Sequence, residues 1–311
     1  MDTHCDNKLS LNLPPYTQLI CQYDSERSAL WYYLNPRPRP CFTPTLLAEI
    51  RDLQRRVADH LRVSPDDLHY FILASATPRV FNLGGDLDLF VRLITERNRD
   101  RLYEYGHTCI DAVYHNATNL GIPTLTTISL VQGSALGGGF EAAISSNVLI
   151  VEQDVQMGFP EILFNLFPGM GAYSLLARRM EATLAERLLR TGQQYDAQKL
   201  WEMGIVDVLA PDGEGVHAVN DFIRRHSRSR NGQQAIQQVR QRVNPLVYQE
   251  LLDIVEIWAD AALRLTARDL RLMTRIAAAQ ERLDAAEDET AAWHSRRDDA
   301  VLGVVPAAAT G

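Results

Sequence analysis

Two glutamates, Glu141 and Glu161, stand twenty residues apart in settings suited to proton transfer. Glu141 follows the run Gly137-Gly138-Gly139-Phe140, and Glu161 lies in Gly158-Phe159-Pro160-Glu161-Ile162. A carboxyl among Phe159, Ile162, Leu163 and Phe164 would be desolvated, which lifts its pKa toward the range useful for acid–base work. Two carboxyls in one cleft can separate their protonation states and act as an acid–base pair. Taken alone, Glu161 reads as a helix cap or a surface residue; the neighbouring glycine loops shift that balance.

Those loops supply the second half of a reaction site. Gly137-Gly138-Gly139 follows an apolar strand and precedes a short helix expected from about Phe140. The first N–H groups of a helix have no intrahelical acceptor, so they can stabilise a developing oxyanion such as a thioester enolate. A second pair, in Phe81-Asn82-Leu83-Gly84-Gly85-Asp86, also follows a strand. Each loop alone is a tight turn; together they can offer two converging donors. A phosphate cradle lacks its Lys-Ser/Thr ending, and no G-x-G-x-x-G is present. Gly133-Ser134-Ala135-Leu136-Gly137 is not a nucleophile elbow, which makes Ser134 structural. Asp86 and Asp88 read as first-turn acids rather than metal ligands. His60, His69, His107 and His115 sit outside both loops. The expectation is no metal and no cofactor.

Alternating strands and helices must position these residues. Tyr16–Tyr23 and Ala29–Leu34 suggest a hairpin, and the prolines of Asn35-Pro36-Arg37-Pro38-Arg39-Pro40 break all regular structure. Thr43-Pro44 caps an amphipathic helix over 43–62, with Leu46, Leu47, Ile50, Leu53, Val57 and Leu61 at helical spacing. A strand at 69–74 runs into a loop over 75–85, and one helical segment is expected from Asp86 to about Asn119. Strands are expected at 124–130 and 148–151, and nearly continuous helix over 246–287. The pattern is that of a parallel sheet with crossover connections. It divides into an arm (1–15), an α/β core (16–245), a C-terminal helical region (246–300) and a tail (301–311).

Composition narrows the classes further. At 311 residues, 46% apolar and 23% charged, the chain can bury a large core and is no disordered polymer. A net charge of −8 argues against a nucleic-acid partner. No apolar run approaches the ~20 residues that cross a bilayer, so no membrane insertion is expected. Met1-Asp2-Thr3-His4-Cys5-Asp6 opens with no export signal, and Cys5, Cys21, Cys41 and Cys109 lie far apart; reduced thiols in the cytoplasm are expected. Only Lys8 and Lys199 are lysines.

These pieces, in this order, resemble the crotonase (enoyl-CoA hydratase/isomerase) superfamily. The resemblance runs through Phe81–Asp86, Gln132–Glu141, Gly158–Ile162, Pro168-Gly169-Met170-Gly171, Ala185–Gly192 and Met203–Asp207, over roughly residues 16–290. It implies an α/β fold, a spiral of ββα units with a C-terminal helical region. It places Gly85 and Gly138 as the oxyanion-hole donors and Glu141 and Glu161 as the two hydratase glutamates. Phe81-Asn82-Leu83-Gly84-Gly85-Asp86-Leu87, Leu130–Gly133, Asn165–Ser174, the Pro-rich crossing into Cys41-Phe42 and Glu256-Ile257-Trp258 look most like the diffusible-signal-factor synthases. That family dehydrates a 3-hydroxyacyl thioester on acyl carrier protein to the cis-2-enoyl form and then hydrolyses it. The product is a cis-2-unsaturated fatty acid used as a quorum-sensing signal.

The resemblance further implies trimers or hexamers, and a regulatory signalling protein as a partner. Leu136, Met170 and Trp258 are the expected substrate-binding residues for the acyl chain. An acidic carrier would need a local basic patch, for which Arg97–Arg101, Arg178-Arg179 and Arg224–Arg230 are candidates, with Arg178-Arg179 placed first. An ordinary enoyl-CoA hydratase or isomerase of fatty-acid degradation and a non-catalytic scaffold are the competing readings.

Overall fold

The computed structural model describes residues 11–285. The expected tail (301–311), the stretch 286–300 of the helical region, and residues 1–10 of the arm lie outside the described residues. The end of the expected arm packs: Leu11 is buried in the main core, and Arg56 donates to the Asn12 carbonyl.

The strands, in chain order, are β1 (Leu19–Asp24), β2 (Ala29–Leu34), β3 (Tyr70–Ser75), β4 (Val80–Asn82), β5 (Thr126–Val131), β6 (Ser134–Leu136), β7 (Val148–Glu152), β8 (Gln156–Gly158), β9 (Gln194–Asp196) and β10 (Val208–Ala210). They form a main sheet in the order β1-β2-β3-β5-β7-β10 and a small sheet in the order β4-β6-β8-β9. β1 and β2 pair antiparallel as a hairpin; β2, β3, β5, β7 and β10 run parallel. The parallel centre is buried on both faces, which is why Tyr70-Phe71-Ile72-Leu73 reads as a continuous apolar run and even Ser129, between Ile128 and Leu130, is buried.

The spiral lies in the succession of long and short strands. β3, β5 and β7 belong to the main sheet, and each is followed at once by a short strand of the other: β4, β6 and β8. These three pair in parallel, so their C-terminal ends lie side by side. Both glycine loops and the Glu161 segment leave from those ends. That is the expected place for a ligand on parallel strands.

Helices cover the sheets: α1 (Pro44–Val63), α2 (Leu87–Thr95), α3 (Arg99–Ala117), α4 (Gly138–Ser145), α5 (Ala172–Leu176), α6 (Ala182–Thr191), α7 (Ala197–Glu202), α8 (Gly215–Ser227), α9 (Arg230–Val243), α10 (Tyr248–Ala262) and α11 (Ala267–Ala285). Thr43 caps α1 as the sequence suggested, its hydroxyl accepting from Leu46 N–H. Three expectations change. The single helix over 86–119 is two, because Arg97 adopts φ 53° and Asn98 starts α3 by capping Arg101 N–H. The loop over 75–85 contains β4. The C-terminal helical run breaks at 263–266, where Thr266 and Asp269 exchange hydrogen bonds at the start of α11. Among the described residues no helix is long and apolar enough to cross a membrane.

Candidate active site

The helix α4 carries the first glutamate into the core. It starts at Gly138, two residues before the expected Phe140, and all eight of its residues are buried. The Phe140 and Phe159 rings stack with centroids 4.7 Å apart, and Gly137 N–H donates to Gly158 O at 2.9 Å. These contacts tie the start of α4 to the segment that bears Glu161. Pro160 opens a single 3-10 turn (Pro160–Phe164), with Glu161 in its first turn.

Glu141 is 1% exposed. Its Oε1 accepts N–H bonds from Met170 at 2.7 Å and from Ala172 at 2.8 Å. Burial drives its pKa well above the usual carboxylate range, the nearby charge of Glu161 adds to that, and the two N–H donors oppose it. The Glu161 residue keeps some exposed surface, but its Oε2 is buried without a hydrogen-bond partner among the described residues. Desolvation pushes this carboxyl up to about 8. Both carboxyls are thus biased toward the protonated form, and an ionised Glu161 would hold the Glu141 proton more tightly still.

The two glycine loops meet. Gly84 has φ 96°, a conformation that glycine tolerates, and a Cβ built there would lie 3.1 Å from Gly138 N. A Cβ built on Gly138 would lie 3.5 Å from Gly85 N, so the two amides are neighbours. As the first residue of α4, Gly138 has an N–H without an intrahelical acceptor. Gly85 forms an isolated bridge with Phe42, made through Gly84 O and not through its own amide.

One cavity, about 420 Å³ including its mouth, is lined by Gly85, Gly138, Glu141, Glu161, Met170 and Trp258. Of the expected site residues only Leu136 is absent from the lining; it lies on β6 paired with Gly158, and its carbonyl faces Gly84. Phe90, Tyr105 and Cys109 line the cavity too, with Phe90 packed edge-on against both Tyr105 and Trp258. Sequence reasoning did not single out these three for the site. Tyr105 and Cys109 share a buried face of α3 with Leu102, and Phe90 comes from α2.

Asp86 and Asp88 serve structure, as their first-turn position suggested. Asp86 caps α2, and the 7%-exposed Arg39 donates to Asp86 at 3.1 Å and to Asp88 at 2.5 Å. Around them Leu83 N–H donates to Pro40 O, Phe42 N–H to Gly84 O, Asp86 N–H to Tyr105 Oη, and Tyr105 Oη–H to Phe42 O. The Pro-rich crossing thus clamps the first glycine loop from outside. The cationic pair placed first for carrier docking is spent internally. Arg178 binds Glu250 and the Ser174 and Pro245 carbonyls, and Arg179 binds Asp207 and the Ile144, Ser146 and Ile205 carbonyls. Arg99 and Arg101 pair with Asp260 and Glu104, whereas Arg225 and Arg228 are exposed.

The sequence model of the enoyl-CoA hydratase/isomerase family matches residues 39–273. The fold is similar to that of DspI from Pseudomonas aeruginosa (20% identity, 76% of this chain and 91% of that one, TM-score 0.64). It is also similar to a putative enoyl-CoA hydratase from Streptomyces avermitilis (20% identity, 83% and 90%, TM-score 0.65). An enoyl-CoA hydratase from Bacillus halodurans matches at 17% identity over 83% and 100%, with a TM-score of 0.68. With the family match spanning three quarters of its length, from the Pro-rich crossing to α11, this chain belongs to the enoyl-CoA hydratase/isomerase family, the crotonases.

Proposed function

We propose that this crotonase dehydrates a 3-hydroxyacyl thioester held on acyl carrier protein to the cis-2-enoyl thioester, then hydrolyses the thioester to release a cis-2-unsaturated fatty acid. The observation that carries the chemistry is that Glu141 and Glu161 line one cavity with Gly85 and Gly138. The thioester carbonyl oxygen binds at the two glycine amides. Removal of the α-proton by one carboxylate then builds charge on an oxygen that already faces two N–H donors. The other carboxyl protonates the departing 3-hydroxyl, and water leaves. For hydrolysis an ionised carboxylate takes a proton from water, and the same amides hold the tetrahedral oxyanion. The sulfur leaves as carrier thiol.

Cis geometry, the carrier and the signalling role rest on the sequence likeness to the diffusible-signal-factor synthases. The competing reading, reversible hydration of an enoyl-CoA, uses the same four residues and follows from the family match. Mass spectrometry of the acids released from 3-hydroxyacyl carrier-protein and CoA substrates separates the two. Release of free cis-2-enoic acid from the carrier substrate supports the proposal. A 2-enoyl-CoA interconverted with its 3-hydroxy form and no free acid overturns it.

A further inference from the structure

A second chamber lies directly behind the catalytic cavity, and Met170 lines both. Along α3 the first is lined by Tyr105, Gly106 and Cys109, and the second by Ala112, Val113 and Asn116. Along α4 the first takes Gly138 and Glu141, and the second takes Ala142 and Ser145. These are successive turns on one face of each helix, so the chambers lie end to end in the α3–α4 groove. At 1.5 Å of rise per residue, Tyr105 to Asn116 spans roughly 16 Å. Met170, unbranched and adaptable, is among the described residues the one that lines both.

The inner chamber ends on an anomaly. Gln54 is 4% exposed and sits on the apolar face of α1 among Ile50, Leu53 and Val57. Its Nε2 donates to Ala112 O at 2.9 Å, which fixes the amide and leaves Oε1 buried with no hydrogen-bond partner among the described residues. Asn116 repeats the pattern: Nδ2 donates to Ser145 Oγ and Ser146 Oγ, and Oδ1 is buried and unpaired. Buried acceptors without partners are uncommon and costly, and two on one otherwise largely apolar chamber call for an explanation.

We propose that the two chambers form one acyl channel whose inner end is guarded by Gln54, making Gln54 the residue that sets the upper limit of chain length. This rests on the acyl-thioester reading above and adds its length limit. A tail that stops at Met170 stays in the outer chamber and does not reach Gln54. A longer hydrocarbon tail must push Met170 aside and lie against Gln54 Oε1, where methylenes cannot supply the hydrogen bond the oxygen lacks and so gain less than against an apolar wall. A tail that ends in a hydroxyl can donate to it.

The test is calorimetric binding of non-hydrolysable acyl amide analogues, lengthened two carbons at a time, with ω-hydroxy counterparts. In the wild type, affinity should rise with length, then stop rising once the tail reaches the inner chamber. At that length the ω-hydroxy analogue should bind at least about threefold tighter than its parent, as a satisfied acceptor warrants. In Gln54→Met, which keeps the side-chain length, the plateau should move to longer chains and the hydroxyl advantage should vanish. Affinity rising through every length with no hydroxyl preference overturns the proposal in the wild type alone, whatever the variant's folding. An unchanged profile in a folded Gln54→Met overturns it as well. Because these ligands do not react, a clean length limit without thioester turnover would sink the proposed reaction and leave the channel standing.

Discussion

The carboxylate of Glu161 lies over the Cα of Gly137, in the space a β-carbon there would occupy. The residue that leads into α4 therefore also shapes the seat of the second glutamate, and its φ of 53° favours glycine independently. Gly137→Ala should fold and yet lose about 10²-fold or more in kcat, the range for a misplaced acid–base group. Circular dichroism beside steady-state kinetics checks both halves.

Replacing either glutamate by glutamine keeps shape and removes proton exchange. Glu141→Gln and Glu161→Gln should each lower turnover about 10²–10⁴-fold. The double variant should be little worse than the poorer single one, since residues acting as a unit are not additive. More than about a tenth of wild-type turnover in both single variants, far above the loss a catalytic carboxyl causes, would remove the two-glutamate mechanism and favour the scaffold reading.

Burial raises Glu161 from 4.5 to about 8 and raises Glu141 as well. The folded state thus holds protons that the unfolded chain releases. The sign follows: stability is complete below about 4.5 and declines as pH rises toward about 8. Thermal melts of Glu161→Gln should show a shallower decline than wild type across that window. In the wild type, kcat/KM should fall above about pH 8, as the Glu161 proton leaves.

Position in the cavity separates two residues that look equivalent in sequence. Met170 lines the cavity and Leu136 does not. Met170→Phe should shorten the preferred acyl chain, whereas Leu136→Phe should leave the length preference where it is. Competition between substrates of several lengths, read by mass spectrometry, tests the pair.

Arg178 is a tether within the chain. Arg178→Glu severs its bonds to Glu250, Pro245 and Ser174, so a melting temperature lower by about 2 °C or more is expected, the shift a loss of 1 kcal/mol makes in a domain this size. A change in KM for carrier-bound substrate at unchanged melting temperature would restore Arg178 to the docking surface.

What the sequence disclosed was what short-range chemistry encodes. The glycine loops, the two glutamates and the Thr43 cap announce themselves because a backbone amide, a buried carboxyl or a capping hydroxyl acts through its near neighbours. The strands β4, β6 and β8 did not, because three residues are too few for a period of two to register. Gln54 did not either: on the helical pattern of α1 it reads as one polar residue among several, and its meaning comes from Ala112, fifty-eight positions away. Ile236, Val239 and Val243 show the converse, an apolar stripe on α9 that faces outward in the single chain. The pairing of Arg178 with Glu250 and of Arg39 with Asp86 and Asp88 likewise depends on distant chain, which a run of charges in the sequence does not reveal.

The clamp on the first oxyanion loop has a consequence in time as well as in space. Leu83, Gly84 and Asp86 each commit their amide hydrogen to a partner, respectively Pro40 O, Asn82 Oδ1 and Tyr105 Oη. Gly85 stands between them on the cavity lining, its amide without a hydrogen-bond partner among the described residues. Deuterium should therefore enter this stretch at one amide while its neighbours exchange only through rarer openings. The donor is unprotected without being loose. Under the proposed mechanism it meets the developing charge already in position, and the reorganisation that water would need during the reaction has been completed during folding.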